Sequence, residues 1–453
     1  MSRETAAEIV HKVLVRGDRA DPLIAARAER DRLDAPSRAF LRELVFGTVR
    51  HHATLDHIIE SFSSAPLKRI ERRLLSILRV GLYQLLFLDH VAPEIAVDSA
   101  VSTARRRFSK RAGGFVNGVL RSIGRSMQRV DVEPDGTDPR RFVPGPEKSG
   151  ILFDRDVLPS PGDDLDEHLA AAFSYPVELI SRWRSHFGDE VCRTVARAGN
   201  ARPRVGLRVH TSKVTREQLL AALTEQGFSV RVGPVEGSVI VDQPRGLFES
   251  SCHLEGWFQV QDPAAQRAVL ALDPRAGESV LDLCAAPGGK ATQIAERLGG
   301  SGRLVATDVD ADRLKRLTES CTRLGLTGVD VRTIGRGADT DLGGPFDRVL
   351  LDVPCSNTGV LGRRPEARWR FDAAMLKSLT GVQAELLRKG AANVRPGGCL
   401  VYSTCSLESE ENRDRVDVFL AENPGFRLLE DELTLPSTEG WDGGYWAKIK
   451  APE

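Results

Sequence analysis

The sequence predicts an α/β protein in three parts: an all-helical first third, a small α+β unit, and a doubly wound, mainly parallel sheet. Three observations carry this expectation. Apolar residues recur three and four apart through roughly the first 125 residues. Strand-like and helix-like stretches mix over 166–255. From 256 onward, short apolar runs alternate with helical stretches, the order that winds helices onto both faces of a parallel sheet.

The helical third, 1–128, rests on "AAEIVHKVL", "FLRELVFGTVRHHATLDHIIESF" and "RRLLSILRVGLYQLLFLDHV", with 96–107 and 115–123 as further helices. Pro66, Pro93 and the Gly113-Gly114 pair read as breaks between them. The segment 129–165 carries "VEPDGTDPRRFVPGPEKSG" and "LPSPGDD", rich in Pro, Gly and charge, and reads as a linker that is mobile in part. In 166–255, "YPVELISRWRSHFG" reads as a helix, and "RVGLRVHT" and "SVIVDQP" as strands around a helix at 216–226. In 256–453 the expected strands are 279–283, 303–307, 329–333, 348–351 and 399–402, and the expected helices are 290–298, 311–324 and 373–393. A sheet wound this way puts its ligand beyond the C-terminal strand ends.

Composition bounds the rest. With 41% apolar and 28% charged residues the chain is ordinary globular material, and its 453 residues suffice for two or three domains. There is no run of 18 apolar residues, so no membrane span is expected. The first residues lack the apolar stretch of a signal peptide. Seven cysteines without a CxxC pair argue against a disulfide framework or a zinc site and fit a reducing cytoplasm. His51, His52 and His57 sit at helical spacing without an evident acidic or thiol partner, so no metal is expected, and the chain reads as a monomer. The net charge is zero but uneven: residues 1–130 hold 23 Lys+Arg against 14 Asp+Glu, a net of +9, and the remainder is −9. A basic module facing a polyanion and a solvated helical surface both fit this imbalance.

The cofactor signal is "SVLDLCAAPGGKATQIAERL", a strand, a Gly-rich turn and a helix. Cys284 stands where a P-loop needs its first Gly, and Ala291 where it needs Ser or Thr. Nor is the stretch GxGxxG, so a pyrophosphate cradle is not expected. The second strand ends in "VATDVD", placing Asp308 20 residues after Gly288, where an acid can accept hydrogen bonds from ribose hydroxyls. Together these favour a nucleoside cofactor without a diphosphate, S-adenosylmethionine, over an NAD-type turn. Asp282 is open to a plainer reading, a carboxylate that caps the turn.

Two further loops carry chemistry. "FDRVLLDVPCSNTG" puts Asp352 and Cys355 after one strand, and "VYSTCS" puts Cys405 after another. Both ends should lie on the face of the Gly turn. A methyl donor needs a nucleophile, and C5 of cytosine is a poor one. A thiolate added at C6 makes the ring an enamine with a nucleophilic C5. No histidine follows His253, so acid and base work here falls to Asp, Cys or water. Spacing alone does not say which thiol attacks.

These stretches resemble the NOL1/NOP2/Sun family of RNA cytosine-C5 methyltransferases, on "LDLCAAPGGKAT", "FDRVLLDVPCSNTG" and "RPGGCLVYSTCSLESEEN" together. The first third is similar to a NusB-type RNA-binding domain, notably in "LLSILRVGLYQLLFLDHV" and "GGFVNGVLRS". The pairing resembles the bacterial Sun/Fmu branch, with "FQVQDPAAQ" and "DGGYWAKIK" also matching. The resemblance implies a Rossmann-like S-adenosylmethionine-dependent methyltransferase domain over 256–453, a small α+β connecting domain over 166–255, and 16S rRNA as substrate. It implies that Cys405 attacks C6, that Cys355 assists product release, and that Asp352 contacts cofactor or base. It implies that Cys284, Ala285, Ala286, Pro287, Gly288, Gly289, Lys290 and Asp308 bind S-adenosylmethionine.

The chain departs from that pattern at Ile334, where the family usually has an acid contacting the adenine region; Asp339 is the candidate replacement. Val353 and Asn357 also differ from the usual residues without disturbing the chemistry. Cys192, Cys252, Cys321 and Cys399 read as small buried hydrophobes. "ARRRFSKR" reads as an RNA-phosphate contact, and "GRRPEARWR" as a contact with substrate RNA. The same chemistry on tRNA or 23S rRNA, and a non-catalytic RNA-binding or antitermination factor, are the competing functions.

Overall fold

The computed structural model describes residues 2–132, 134, 136–145, 149–335 and 341–453; Asp339 lies outside them. The chain forms two compact units, Met1–Ala201 with Leu361–Phe371, and Arg202–Val360 with Asp372–Glu453.

The first unit opens with helices Ser2–Arg16, Ala20–Arg30, Ala35–Arg50, His52–Phe62, Arg72–Phe87, Pro93–Arg107 and Lys110–Ser126. Their buried faces supply the core residues Leu41, Leu44, Leu55, Ile58, Leu78 and Leu120. Two expected breaks turn out differently. Pro93 is the first helical residue, where its missing N–H costs nothing. Gly113 and Gly114 lie inside a helix, because Ser109 starts it by accepting the Ala112 N–H and because Val116, Val119, Leu120 and Ile123 bury one face. His52 does have an acidic partner: Asp56 lies 3.3 Å away and also takes a two-pronged hydrogen bond from Arg79 (2.7 and 2.6 Å). Burial opposes the Asp56 charge, but His52 and Arg79 outweigh it and hold the carboxyl down at about 2. His51 stacks on Phe87 with ring centroids 4.0 Å apart, a packing role.

The expected linker holds structure. Met127–Val130, Phe142–Pro144 and Gly150–Phe153 form an antiparallel sheet in which Gly150–Phe153 is central. Phe142, Val143, Ile151 and Phe153 bury it, which the surrounding Pro and charge hid from a reading by composition. Helices Leu165–Phe173, Val177–Phe187 and Asp189–Ala198 complete the unit with the returning segment Leu361–Phe371.

At Arg368 and Trp369 that segment corrects the reading of "GRRPEARWR" as an RNA contact, whereas Arg364 is exposed. Arg368 is 0% exposed. Its guanidinium donates to the carbonyls of Ser174 (2.9 Å), Gly199 (3.0 Å) and Arg50 (3.3 Å) and to Asn200 Oδ1 (2.9 Å), and lies 3.9 Å over the Tyr175 ring. Trp369 donates its indole N–H to the Val49 carbonyl (2.8 Å). Groups so engaged strap the unit together and do not face solvent. In "ARRRFSKR", Arg106 and Arg107 pair with Glu4 of the first helix, and both remain exposed.

In the second unit, strands Val230–Val232, Ser238–Val241, Val205–Val209 and Phe258–Val260 form an antiparallel sheet in that order. Helix Arg216–Glu225, begun by a Thr215/Gln218 capping box, buries Leu219 and Leu223 against it. Then comes the large sheet: β1 Ser279–Asp282, β2 Arg303–Asp308, β3 Val329–Thr333, β4 Phe346–Asp352, β5 Val394–Thr404, β6 Arg427–Thr434 and β7 Gly444–Lys450. The spatial order is β3-β2-β1-β4-β5-β7-β6, parallel from β3 to β5, with β7 antiparallel to both neighbours. This is a Rossmann-like arrangement. Side chains alternate between the faces as a pleated strand requires: Leu281, Val349, Leu351, Leu400 and Tyr402 join one core with helices Ala373–Asn393 and Arg413–Glu422. Val280, Leu350 and Val401 join the other, with helices Pro263–Leu272, Gly289–Leu298 and Ala311–Leu324. The order reverses between β1 and β4, and a ligand crevice belongs beyond the C-terminal ends there. Among the described residues, no helix is long and apolar enough to cross a membrane.

Candidate active site

Four strand ends meet at that crevice. Asp282 ends β1, Asp308 ends β2, Asp352 ends β4 and Thr404 ends β5. The pairings Leu350 with Asp282 and Asp352 with Ser403 put the ends at one level.

The turn between β1 and its helix is shaped by Gly288, whose φ is +114°. A Cβ there would sit 2.8–3.0 Å from Leu317, so only glycine fits. The turn is held from β2: Ala285 N–H donates to the Thr307 carbonyl (2.8 Å), and Ala286 N–H to Asp308 Oδ2 (3.0 Å). The other Asp308 oxygen accepts the Asp310 N–H (3.0 Å). The Asp308 carboxylate is therefore fixed in direction, and each oxygen keeps a lone pair for a further donor.

The Cys284 N–H of the turn acts on the Asp282 carboxyl, the contact a capping carboxylate makes. Asp282 is 0% exposed, and at neither carboxyl oxygen does that contact reach full hydrogen-bonding geometry. Burial, with the nearby Asp352 charge adding, pushes its carboxyl up to about 8, so it is neutral at pH 7. Lys290 opens the helix after the turn and reaches Asp352 Oδ1 at 2.8 Å. Burial works against the ammonium, but Asp352 more than offsets it and the Lys290 group stays cationic. Ser403 also donates to Asp352 Oδ1 (3.1 Å), leaving the side chain of Asp352 braced and 36% exposed. A buried carboxyl without a full hydrogen bond, a turn that admits no side chain at Gly288 and a fixed acid at Asp308 suit a nucleoside cofactor carrying hydroxyl and ammonium donors. Cys284 lies in this turn, and burial pushes its thiol up strongly, away from thiolate chemistry. Ile334 donates its N–H to the Asp308 carbonyl (3.0 Å) and packs in the core with Leu283 and Val305, a structural part in place of an acid.

The two thiols meet. Cys355 Sγ and Cys405 Sγ are 3.0 Å apart, and the Cys405 N–H points at Cys355 Sγ (3.3 Å). The hydrogen bond with Cys405, then burial, raises the Cys355 thiol well above its usual range. Cys405 is the more exposed of the pair. Asn357 adopts φ +65°, which Asn tolerates; its amide N–H donates to the Cys355 carbonyl (2.7 Å), and its Oδ1 accepts from Cys405 Sγ (3.5 Å). The loops are joined along their backbones too. Gly359 N–H donates to the Cys405 carbonyl (2.9 Å), and Gly443 N–H to the Gly359 carbonyl (2.7 Å). The other cysteines stand apart: Cys192, Cys252 and Cys321 are buried as expected, whereas Cys399 is half-buried in the middle of β5.

The sequence reading missed the groups behind the thiols. Ser356, Thr358, Ser406, Glu411 and Asn412 are all buried. A signal for them was present: Cys355 and Cys405 are each followed by serine, and "SEEN" supplies acids and an amide a few residues on.

Comparison with known proteins finds three successive family matches, the second of which spans the boundary between the two units. The chain matches the NusB family over 1–125, the ferredoxin-like domain of RsmF/B-like methyltransferases over 175–247, and the 16S rRNA methyltransferase RsmB/F family over 269–448. It is 32% identical over 460 residues to ribosomal RNA small subunit methyltransferase B of Cronobacter sakazakii, covering 99% of this chain and 98% of that protein. It is 31% identical over 442 residues to the probable ribosomal RNA small subunit methyltransferase B of Synechocystis, covering 96% and 92%. The crystal structure of PH0851 superposes with a TM-score of 0.75 at 26% identity, covering 99% of this chain and 98% of that one.

Proposed function

The chain belongs to the RsmB/F family of 16S rRNA methyltransferases, and from that premise we propose that it methylates C5 of a cytosine in 16S rRNA through a covalent bond between Cys405 and C6. The family's methyl donor, S-adenosylmethionine, supplies an electrophilic methyl group. The observation that carries the reading is the 3.0 Å approach of Cys355 and Cys405 beside the braced Asp352. Attack by the Cys405 thiolate on C6 sends the C5–C6 π electrons to C5, which becomes the nucleophile. After methylation, transfer of the C5 proton to a carboxylate or water and expulsion of the Cys405 thiolate restore the ring. Cys355, facing Cys405 Sγ, supports that departure by hydrogen-bonding the leaving thiolate. Asp352 presents its carboxylate to cofactor or base, with Lys290 and Ser403 fixing its direction. Asp308 and the turn from Cys284 to Lys290 hold the cofactor; the waiting lone pairs of Asp308 favour ribose hydroxyls.

Bisulfite sequencing of 16S rRNA tests this. Cells lacking the gene should lose one protected cytosine, wild-type chain should restore it, and Cys405→Ala should not. Restoration by Cys405→Ala would falsify the covalent mechanism, and loss of protection in tRNA or 23S rRNA instead would overturn the substrate.

A further inference from the structure

The sequence contains the dipeptide Cys-Ser at both reactive positions, Cys355-Ser356 and Cys405-Ser406. The two cysteines face each other, and the two serines turn away to a single buried carboxylate. Ser356 donates its N–H to Glu411 Oε1 (2.9 Å) and its hydroxyl to Oε2 (2.5 Å). The Ser406 hydroxyl donates to the same Oε2 (2.5 Å), and Gln383 Nε2 donates to Oε1 (2.9 Å). Thr358 completes the cluster: it lies 3.2 Å from Ser406 Oγ and accepts the Leu407 N–H (2.9 Å). The backbone that presents the carboxylate is itself pinned. The Tyr402 hydroxyl donates to the Glu411 carbonyl (2.6 Å), and Asn412 donates to the Ser406 carbonyl (2.9 Å) while accepting from the Thr404 hydroxyl (2.5 Å).

We propose that Glu411 is a positioning residue that sets the separation of the two thiols by holding the loop behind each of them on one carboxylate. This rests on the reading of Cys405 and Cys355 as the reacting pair. Each serine hydroxyl has one proton to give, and both give it to Oε2, so the acceptor that orders the Cys355 loop also orders the Cys405 loop. No other described side chain takes hydrogen bonds from both serine hydroxyls and from the Ser356 amide. A buried acceptor removed here leaves these donors unpaired, and the loops must shift to find partners. A shift of 1 Å between reacting groups costs about 100-fold in rate.

The test reads the thiol separation without using the methyl-transfer reaction. Diamide oxidises two adjacent thiols to a disulfide, taking up their two protons and two electrons as its N=N bond becomes HN–NH. In the wild-type chain this should give a Cys355–Cys405 linked peptide by mass spectrometry. Glu411→Ala should slow that cross-link about tenfold and lower kcat about 100-fold, with the KM for S-adenosylmethionine within about twofold. Glu411→Gln should restore both to within about threefold, because a flipped amide can offer its oxygen to the two N–H donors and its NH2 to the two hydroxyls. A role in fold stability alone would lower the melting temperature and leave cross-linking and kcat of the folded enzyme unchanged. If Glu411→Ala does not fold, Ser406→Ala removes one link only and should still slow the cross-link about threefold. Wild-type cross-linking in the folded Glu411→Ala or Ser406→Ala chain overturns the proposal. Slowed cross-linking with unchanged methyl transfer supports the positioning role and overturns the two-thiol mechanism instead.

Discussion

Arg368→Ala should loosen the first unit and leave the large sheet untouched. The guanidinium serves four buried acceptors, the carbonyls of Arg50, Ser174 and Gly199 and the amide oxygen of Asn200. At about 1 kcal/mol net each, their loss costs about 4 kcal/mol. The desolvated stacking on Tyr175 adds about 2 kcal/mol. Against this, burial lowers the Arg368 group from 12.5 to about 10, a cost of about 3 kcal/mol that the substitution relieves. The balance is about 3 kcal/mol of lost stability. Hydrogen exchange read by mass spectrometry resolves the two units. Amides of Leu41–Val49 and of the 170–200 helices, which the strap ties together, should exchange about 100-fold faster. Amides of β1 and β4 should not change. Exchange within about threefold of wild type in the first unit would refute the strap, and weakened RNA binding without stability loss would return this segment to a role at the substrate.

Three further outcomes are expected. Gly288→Ala should lose about 3 kcal/mol and weaken S-adenosylmethionine binding, because φ +114° and the 2.8–3.0 Å approach to Leu317 both oppose a Cβ; calorimetry of unfolding and of binding checks it. Asp282→Asn should flatten the pH dependence of stability. Its folded carboxyl at about 8 lies above the ordinary 3.8, so the native state binds the extra proton and wild-type stability falls as pH rises from about 4 to about 8; melting temperatures at pH 6 and 9 should diverge in the wild type and converge in the variant. Cys355→Ala should accumulate RNA bound to protein, seen as a shifted band on a denaturing gel, since the donor that assists release of Cys405 is gone; free product at the wild-type rate would remove Cys355 from that step.

Much of the second unit was legible because its inner strands are short and apolar and its helices are periodic, so strands such as 348–351 and helices 311–324 and 373–393 fall where the pattern put them. The polar linkage behind the thiols was not, since Ser356, Ser406 and Glu411 look like surface residues until the fold brings 356 and 406 to one carboxylate. The strap failed for the same reason. Arg368 and Trp369 have the composition of an RNA contact, and only the long-range carbonyls of Arg50, Ser174 and Gly199 make them internal. Composition also concealed the strands Phe142–Pro144 and Gly150–Phe153, where Phe142, Val143, Ile151 and Phe153 are buried in a stretch rich in proline and charge. At Asp282 the residue was noticed, but its neutral state follows from burial beside Asp352, which no local spacing reveals.

The central claim is that Cys405, and not Cys355, bonds to the base. RNA carrying 5-fluorocytidine tests it directly, because a fluorine at C5 cannot leave as a proton does and the covalent complex persists. Digestion and mass spectrometry should find the nucleotide on the peptide containing Cys405, in the wild type and in Cys355→Ala, and on no peptide in Cys405→Ala. A nucleotide on Cys355, or methyl transfer with no adduct on either thiol, would contradict the account.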